Sequence, residues 1–412
     1  MEISETPSDM ERRNSWIAAT VAILAATVFC VSIKPRHQPF DYTFRIASIL
    51  LHGHAGLQTL PPSWLNEMVP RDGRYYSVFP LGAVLSVVPV AALRELGLIS
   101  DFPARGVAGT IAGLCAYFFF HLSMLGARSL GRRILLALFP IFGTWTWCNL
   151  GFAGAWQIAL GFALLGEVGA LYFTLVRPRP LAAGAFFALA FGNRTELFLV
   201  LPIFLCLWLR RPSEQAARWS DLFRRIRECR VTLLQFLIVP AALGLLTAAY
   251  NFARFHSIFD FGYSHIPNLL REPWYRHGVF STRAIRWNVH KMLFEGFGDN
   301  PHFPFIQFYP FGCSIFLASP FLCLIFREGG SLRGPAWIAI ALLAFALWCH
   351  GNPGGWEFSY RYAIILVPWM FLLIVTNGPP TFSVIELALF IVSVAINALA
   401  TYEFLWTDNI RP

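Results

Sequence analysis

Apolar stretches of about bilayer-crossing length recur along almost the whole chain, and they decide what it can fold into. A spanning helix needs about 20 mostly apolar residues. Runs of that kind lie near 15–33, 77–97, 105–126, 134–150, 156–176, 181–209, 232–250, 307–326, 335–350, 360–376 and 381–405. In hydrocarbon each backbone N–H and C=O must be satisfied internally. The expected fold class is therefore all-α, a polytopic transmembrane helical bundle of about eleven or twelve spans. The count turns on 181–209, which Gly192-Asn193-Arg194-Thr195-Glu196 interrupts. It reads either as one span with a polar break or as two short helices meeting there. Only 13% of residues are charged, against about 25% in soluble domains, so no separate soluble domain fits outside the loops.

Flanking charges orient the spans. Arg12 and Arg13 precede the first, and Lys34-Pro35-Arg36 follow it in place of a small-residue cleavage site. That pattern is an uncleaved anchor with residues 1–14 cytoplasmic. Residues 15–405 then form one multi-pass domain and 406–412 a tail. The loop 210–231 carries Arg210, Arg211, Arg218, Arg224, Arg225, Arg227 and Arg230 against Glu214, Asp221 and Glu228, and is cytoplasmic by the positive-inside rule. Counting from it places 251–306, 351–359 and the C-terminus outside. The first loop, 34–76, is outside by the N-terminal argument. Strict alternation would put Arg128, Arg132 and Arg133 outside as well, a conflict that a re-entrant segment near 77–97 removes. The expected location is the cell (inner or plasma) membrane.

Of 32 basic residues 30 are Arg; only Lys34 and Lys291 are Lys. Arg suits anionic headgroups through bidentate, weakly hydrated contacts, although GC-rich codon usage accounts for most of the bias. The net charge of +9 fits an anionic membrane surface. Seven of the eight Cys lie in apolar runs, Cys229 in the basic loop, and the ten His are scattered without ligand spacing. No disulfide framework, zinc site or other cofactor is expected, and a divalent metal finds no supporting ligand set. The chain lacks GxGxxG, GxxxxGK[ST], HExxH and GxSxG. A nucleotide-driven pump or a nucleotide-sugar enzyme therefore has no domain to sit in, and nothing points to a nucleic-acid partner.

Polar residues gather at the loops. In Phe40-Asp41-Tyr42-Thr43-Phe44-Arg45, continuing to Leu51, apolar residues at 40, 44, 47, 50 and 51 follow helical spacing and predict an amphipathic juxtamembrane helix. Asp41 in its first turn is either a dipole-favoured helix charge or a general base above the membrane. Asp72-Gly73-Arg74-Tyr75-Tyr76 forms a tight turn, with Arg74 as a phosphate ligand or an interfacial anchor. Arg194 and Glu196 between apolar arms are costly unless they face a cavity or pair. Glu167 and Glu386 are lone acids best explained by helix-to-helix pairing. Tyr250-Asn251-Phe252-Ala253-Arg254 opens the second long loop. Gly355-Trp356-Glu357-Phe358-Ser359-Tyr360-Arg361-Tyr362 leads into a late span, with Arg361 at the rim.

Taken together, the anchor helix, the first-loop acid and the DGRYYSVFPLG turn resemble bacterial C-type glycosyltransferases, nearest the protein-mannosyltransferase and aminoarabinose-transferase-like enzymes. FGNRTELFLVLP resembles their Arg-containing helix break, YNFARFHSIFDFGY their Tyr-Asn stretch and GGWEFSYRYAIILVP their late Arg-Tyr motif. Order and spacing over roughly 30–375 carry the resemblance. It implies inverting transfer from a polyprenyl-phosphate sugar donor to a glycan, lipid or protein acceptor on the external face. Asp41 would be the base, Arg194 or Arg361 the donor-phosphate ligand, with Arg45, Arg74, Tyr75, Tyr76, Glu196, Glu357 and Tyr362 in the substrate site. Many relatives carry an acidic pair where this chain has Phe40-Asp41-Tyr42. A lipid or lipid-linked-sugar flippase, and an inactive relative serving as an assembly partner, are the competing readings.

Overall fold

The computed structural model describes residues 7–34, 40–210, 219–301 and 305–410, with side chains from Glu11 and from Phe223 at two helix starts. Pro39 of the first-loop motif and Arg211, Glu214 and Arg218 of the basic loop lie outside the described residues, as does the side chain of Asp221. The described chain is mostly helical: α1 (Pro7–Ser32), α2 (Tyr42–Leu51), the hairpin β1–β2 (Met68–Arg71, Arg74–Ser77), α3 (Leu81–Glu95), α4 (Ala104–Leu122), α5 (Leu130–Phe142), α6 (Thr146–Gly151), α7 (Ala155–Leu175) and α8 (Pro180–Asn193). A 3₁₀ turn (Thr195–Val200) leads into α9 (Leu201–Leu209), then α10 (Trp219–Glu228), α11 (Arg230–Phe255), α12 (Ile285–Val289), a two-residue hairpin β3–β4 (Gly298–Asp299, Ile306–Gln307) and α13 (Ile315–Ala318). The chain closes with α14 (Arg333–Cys349), α15 (Val367–Thr376) and α16 (Val384–Trp406).

Among the described residues five helices are long and apolar enough to cross a membrane: Glu11–Ser32, Ala104–Leu125, Ala155–Leu175, Arg230–Phe255 and Val384–Trp406. Burial sorts them. α7 and α15 are apolar on all sides and lie in the middle, with Val367 to Val375 of α15 buried throughout. α1, α11 and α16 instead expose aliphatic side chains such as Ile23, Leu24, Leu234, Ile238, Leu245, Val384 and Ile391. Exposed apolar area of that extent marks a membrane or protein contact surface.

Cross-links between helix ends define two ends of the bundle. At one, Arg133 at the start of α5 donates to Asn14 of α1 (3.1 Å) and lies over the Phe120 ring at the end of α4 (4.3 Å). Arg132 beside it makes a two-pronged ion pair with Glu386 of α16 (3.0 Å for each bond), and Arg327 adds a third contact at 2.6 Å. Asn377 at the end of α15 donates to the Arg327 carbonyl (3.0 Å). At the other end, Cys30 of α1 reaches the Arg105 carbonyl at the start of α4, and Trp406 of α16 donates to the Ser32 carbonyl (2.8 Å). Both lone acids are paired across helices, Glu386 as above and Glu167 with the Trp369 indole (2.5 Å).

The apolar run near 77–97 yields α3, whose 15 residues span about 22 Å. Both its ends lie at the second end of the bundle. Its start touches the end of α8, where Asn193 donates to Ser86 (2.8 Å). Its last residue, Glu95, meets His52 just past α2 at 2.9 Å, and Phe102 beyond it packs on Phe44 (5.1 Å). α2 and α3 thus form a pair at that end, and α2 buries Phe44, Ile46 and Ala47 rather than lying free on a surface. At the crossing of α3 and α8, a Cβ on Gly82 would overlap the Gly192 backbone. Gly82→Ala is accordingly expected to destabilise the protein by about 1–3 kcal/mol, read as a lowered thermal midpoint in detergent. An unchanged midpoint would show that the two helices separate freely.

Candidate functional site

Where α8 breaks, the backbone turns extended at Arg194 (φ −135°, ψ 99°) before resuming as the 3₁₀ turn. The break opens onto a cavity of about 330 Å³. Its walls come from Phe79 and Pro80 at the mouth of α3, Trp156 at the start of α7, and Asn193 to Glu196. The 259–264 and 279–280 loop segments, the end of α14 with His350, and Tyr362 complete it.

Arg194 and Glu196 pair inside this cavity (Nε–Oε1 2.8 Å, Nη2–Oε1 2.5 Å), and the guanidinium lies 4.7 Å from the Tyr362 ring centre. Only one Glu196 oxygen is used, so Arg194 keeps donors for an anion. Arg361 stands behind Tyr362, donating to its hydroxyl (3.3 Å), and approaches Glu357 at 3.2 Å without hydrogen-bond alignment. Burial pushes the Glu357 carboxyl up to about 8, partly offset by the Arg361 charge. The structure therefore gathers four sequence-predicted residues around one ring, Arg194, Glu196 and Tyr362 on the wall with Arg361 behind, and Glu357 supports them.

Four further residues of this region carried no site assignment from sequence. Glu67 accepts from the Trp156 indole (2.7 Å), and its other oxygen has no protein hydrogen bond among the described residues. Burial pushes its carboxyl up to about 7, against the opposing Trp156 bond and the Arg361 charge. Asp260 lines the cavity, bonded to the Gly262 amide (2.7 Å) and to His265 (2.8 Å). Burial raises its carboxyl, but those two bonds outweigh it and hold the group below its ordinary range. His350 bonds the Asn352 carbonyl through Nδ1 (2.7 Å), which places the proton there and leaves Nε2 as the acceptor of a neutral ring. Arg254 is buried, with its guanidinium 3.8 Å from the Tyr250 ring centre. It donates to Asn251 (2.7 Å) and to the Ser77 carbonyl, fixing the chain just before Phe79. Only Arg254 had a local signal, the i, i+3 and i, i+4 spacing of Tyr250, Asn251 and Arg254.

Like Glu67 and Arg254, which stand behind the wall, the other sequence candidates do not line the cavity. Asp41 at the head of α2 is paired with Arg45 (2.7 Å). Arg74 sits opposite Arg71 in the hairpin, Tyr75 bonds Leu57 through the backbone (2.9 Å both ways), and Tyr76 packs on Phe255 (6.1 Å). Among the described residues no three His, Cys, Asp or Glu converge as metal ligands. Comparison with protein-family models, curated proteins and solved structures gave no match.

Proposed function

We propose that this protein is a C-type membrane glycosyltransferase that moves a sugar, with inversion, from a polyprenyl-phosphate donor to an acceptor hydroxyl outside the cell. The observation that carries the reading is the cavity itself. A helix break presents an Arg with spare donors beside aromatic walls, and a carboxyl poised near neutrality stands one indole away.

The fold supports a membrane setting for it. With α2 and α3 as a re-entrant pair, eleven crossings follow: α1, α4, α5–α6, α7, α8, the 3₁₀ turn with α9, α11, 313–326, α14, 361–376 and α16. Arg12, Arg13, Arg128, Arg132, Arg133, Arg177 and Arg327 then share the cytoplasmic side, as the positive-inside rule asks. The cavity opens on the external side at the end of α14, whose exposed Ile338, Leu342 and Phe345 suit a lipid tail.

In this reading Glu67, rather than Asp41, takes the proton from the acceptor hydroxyl as its oxygen attacks the anomeric carbon. The bond from that carbon to the phosphate oxygen breaks, and polyprenyl phosphate leaves with the electron pair. Arg194 stabilises the charge growing on the phosphate.

The test incubates purified protein with labelled polyprenyl-phosphate sugars and an acceptor bearing free hydroxyls, with water as the default acceptor, and measures released polyprenyl phosphate. Wild type should release it. Arg194→Ala should lower kcat/KM for the donor about ten- to hundredfold, the effect of losing a hydrogen bond to a charged group. Unchanged donor kinetics in Arg194→Ala would remove its phosphate role. No release by wild type with any donor sugar would favour the flippase reading.

A further inference from the structure

A second concavity, about 250 Å³, lies beside the cavity. The two share a wall made of one pair of extended segments. Gly351 donates to the Val279 carbonyl (2.8 Å), Ser281 donates to the Cys349 carbonyl (2.7 Å), and Phe280 bridges His350. Val279, Phe280 and His350 face the cavity, while Gly278, Ser281 and Gly351 line the groove.

The groove has a chemistry of its own. Trp274 and Trp287 meet at 6.1 Å with a 44° tilt, forming an angled apolar floor, and remain 37% and 45% exposed. Arg276, His277 and Arg283 stand around it, and among the described residues no acidic one lines it. Arg283 spends one donor on the His277 ring (3.3 Å), and among the described residues neither Arg has a carboxylate partner. Lys291 Nζ lies over one face of Trp287 (5.0 Å), so Trp274 and the remaining side of Trp287 offer flat faces to the C–H face of a pyranose, with an N–H at the rim. Unpaired guanidinium groups take a carboxylate or phosphate in two-pronged fashion. Two indoles alone would serve any apolar ligand, and two Arg alone any anion. Their convergence in a groove without acids selects a ligand that has both a sugar face and a negative charge.

We propose that the groove of Trp274, Arg276, His277, Arg283 and Trp287 binds an anionic saccharide. On the glycosyltransferase reading, on which this part rests, that saccharide is the acceptor glycan, held with its hydroxyl end directed over the shared wall.

The experiment measures binding of trigalacturonate and of uncharged maltotriose to the full-length protein in nanodiscs by saturation-transfer NMR and titration. Trigalacturonate should bind at least tenfold more tightly. Trp274→Ala, and separately Arg276→Gln with Arg283→Gln, should each weaken it tenfold or more. These side chains are exposed, so the fold should survive, and hydrolytic release of polyprenyl phosphate, with water taking the sugar, should be unchanged. Equal binding of both trisaccharides, or binding indifferent to the substitutions, overturns the proposal. So does equally strong displacement by glycerol 1-phosphate, which would place a lipid headgroup in the groove. Saccharide binding without donor turnover would sink the glycosyltransferase reading and leave the groove standing. Turnover without binding would do the reverse.

Discussion

Glu67→Gln is expected to lower sugar transfer about 10²- to 10⁴-fold, the range general-base catalysis contributes, while leaving expression and donor binding intact. The sign of the pH dependence is fixed by the role. A base works deprotonated, and burial places this carboxyl at about 7. Wild-type kcat should therefore climb as pH rises through about 7 and level off above it. In Glu67→Gln that limb should vanish, because the amide does not titrate. Asp41→Asn, whose carboxylate is already engaged by Arg45, should stay within tenfold of wild type and keep the limb. The opposite pattern, with Asp41→Asn inactive and Glu67→Gln active, would return the base to Asp41.

The second large effect belongs to stability. Glu386 and Arg132 are both fully buried, and Arg327 shares the same carboxylate. Glu386→Ala should destabilise the protein by about 3–5 kcal/mol, because it leaves buried charge uncompensated. Replacing Arg132, Arg327 and Glu386 together by Met or Leu should recover most of that loss, since apolar packing often matches a buried ion pair. Thermal unfolding in one detergent, compared across the variants, decides it. A triple variant as unstable as Glu386→Ala would mean that the charges are needed for themselves.

Much of this was legible in the chain. The apolar runs, the break at Arg194–Glu196 and the late Arg361–Tyr362 step are local patterns, and the structure brings the last two to one place. α3 was harder, because periodicity and apolarity do not separate a spanning helix from a core helix of 15 residues. What holds α3 against α2 is the meeting of Glu95 with His52, 43 residues apart, which no window reveals. Glu67 escaped for a similar reason. It lies in a turn-rich stretch with no helical or strand pattern, and only folding sets it against Trp156, 89 residues on. Asp260 and His350 are single polar residues whose meaning comes from the wall they share. The hairpin residues Arg74 to Tyr76 drew attention by their density, yet the strand register turns them to Arg71, Leu57 and Phe255 instead.

Gly82 and Gly192 touch main chain to main chain. Most helix contacts are cushioned, since side chains change rotamer and absorb small displacements. Here nothing compressible stands between α3 and the residue two before Arg194. The contact therefore behaves as a rigid fulcrum, so that rocking of the α2–α3 pair is delivered to the main chain at the break. Backbone stiffness there sets where the Arg194 side chain starts, and Glu196 and Tyr362 set where its charge ends.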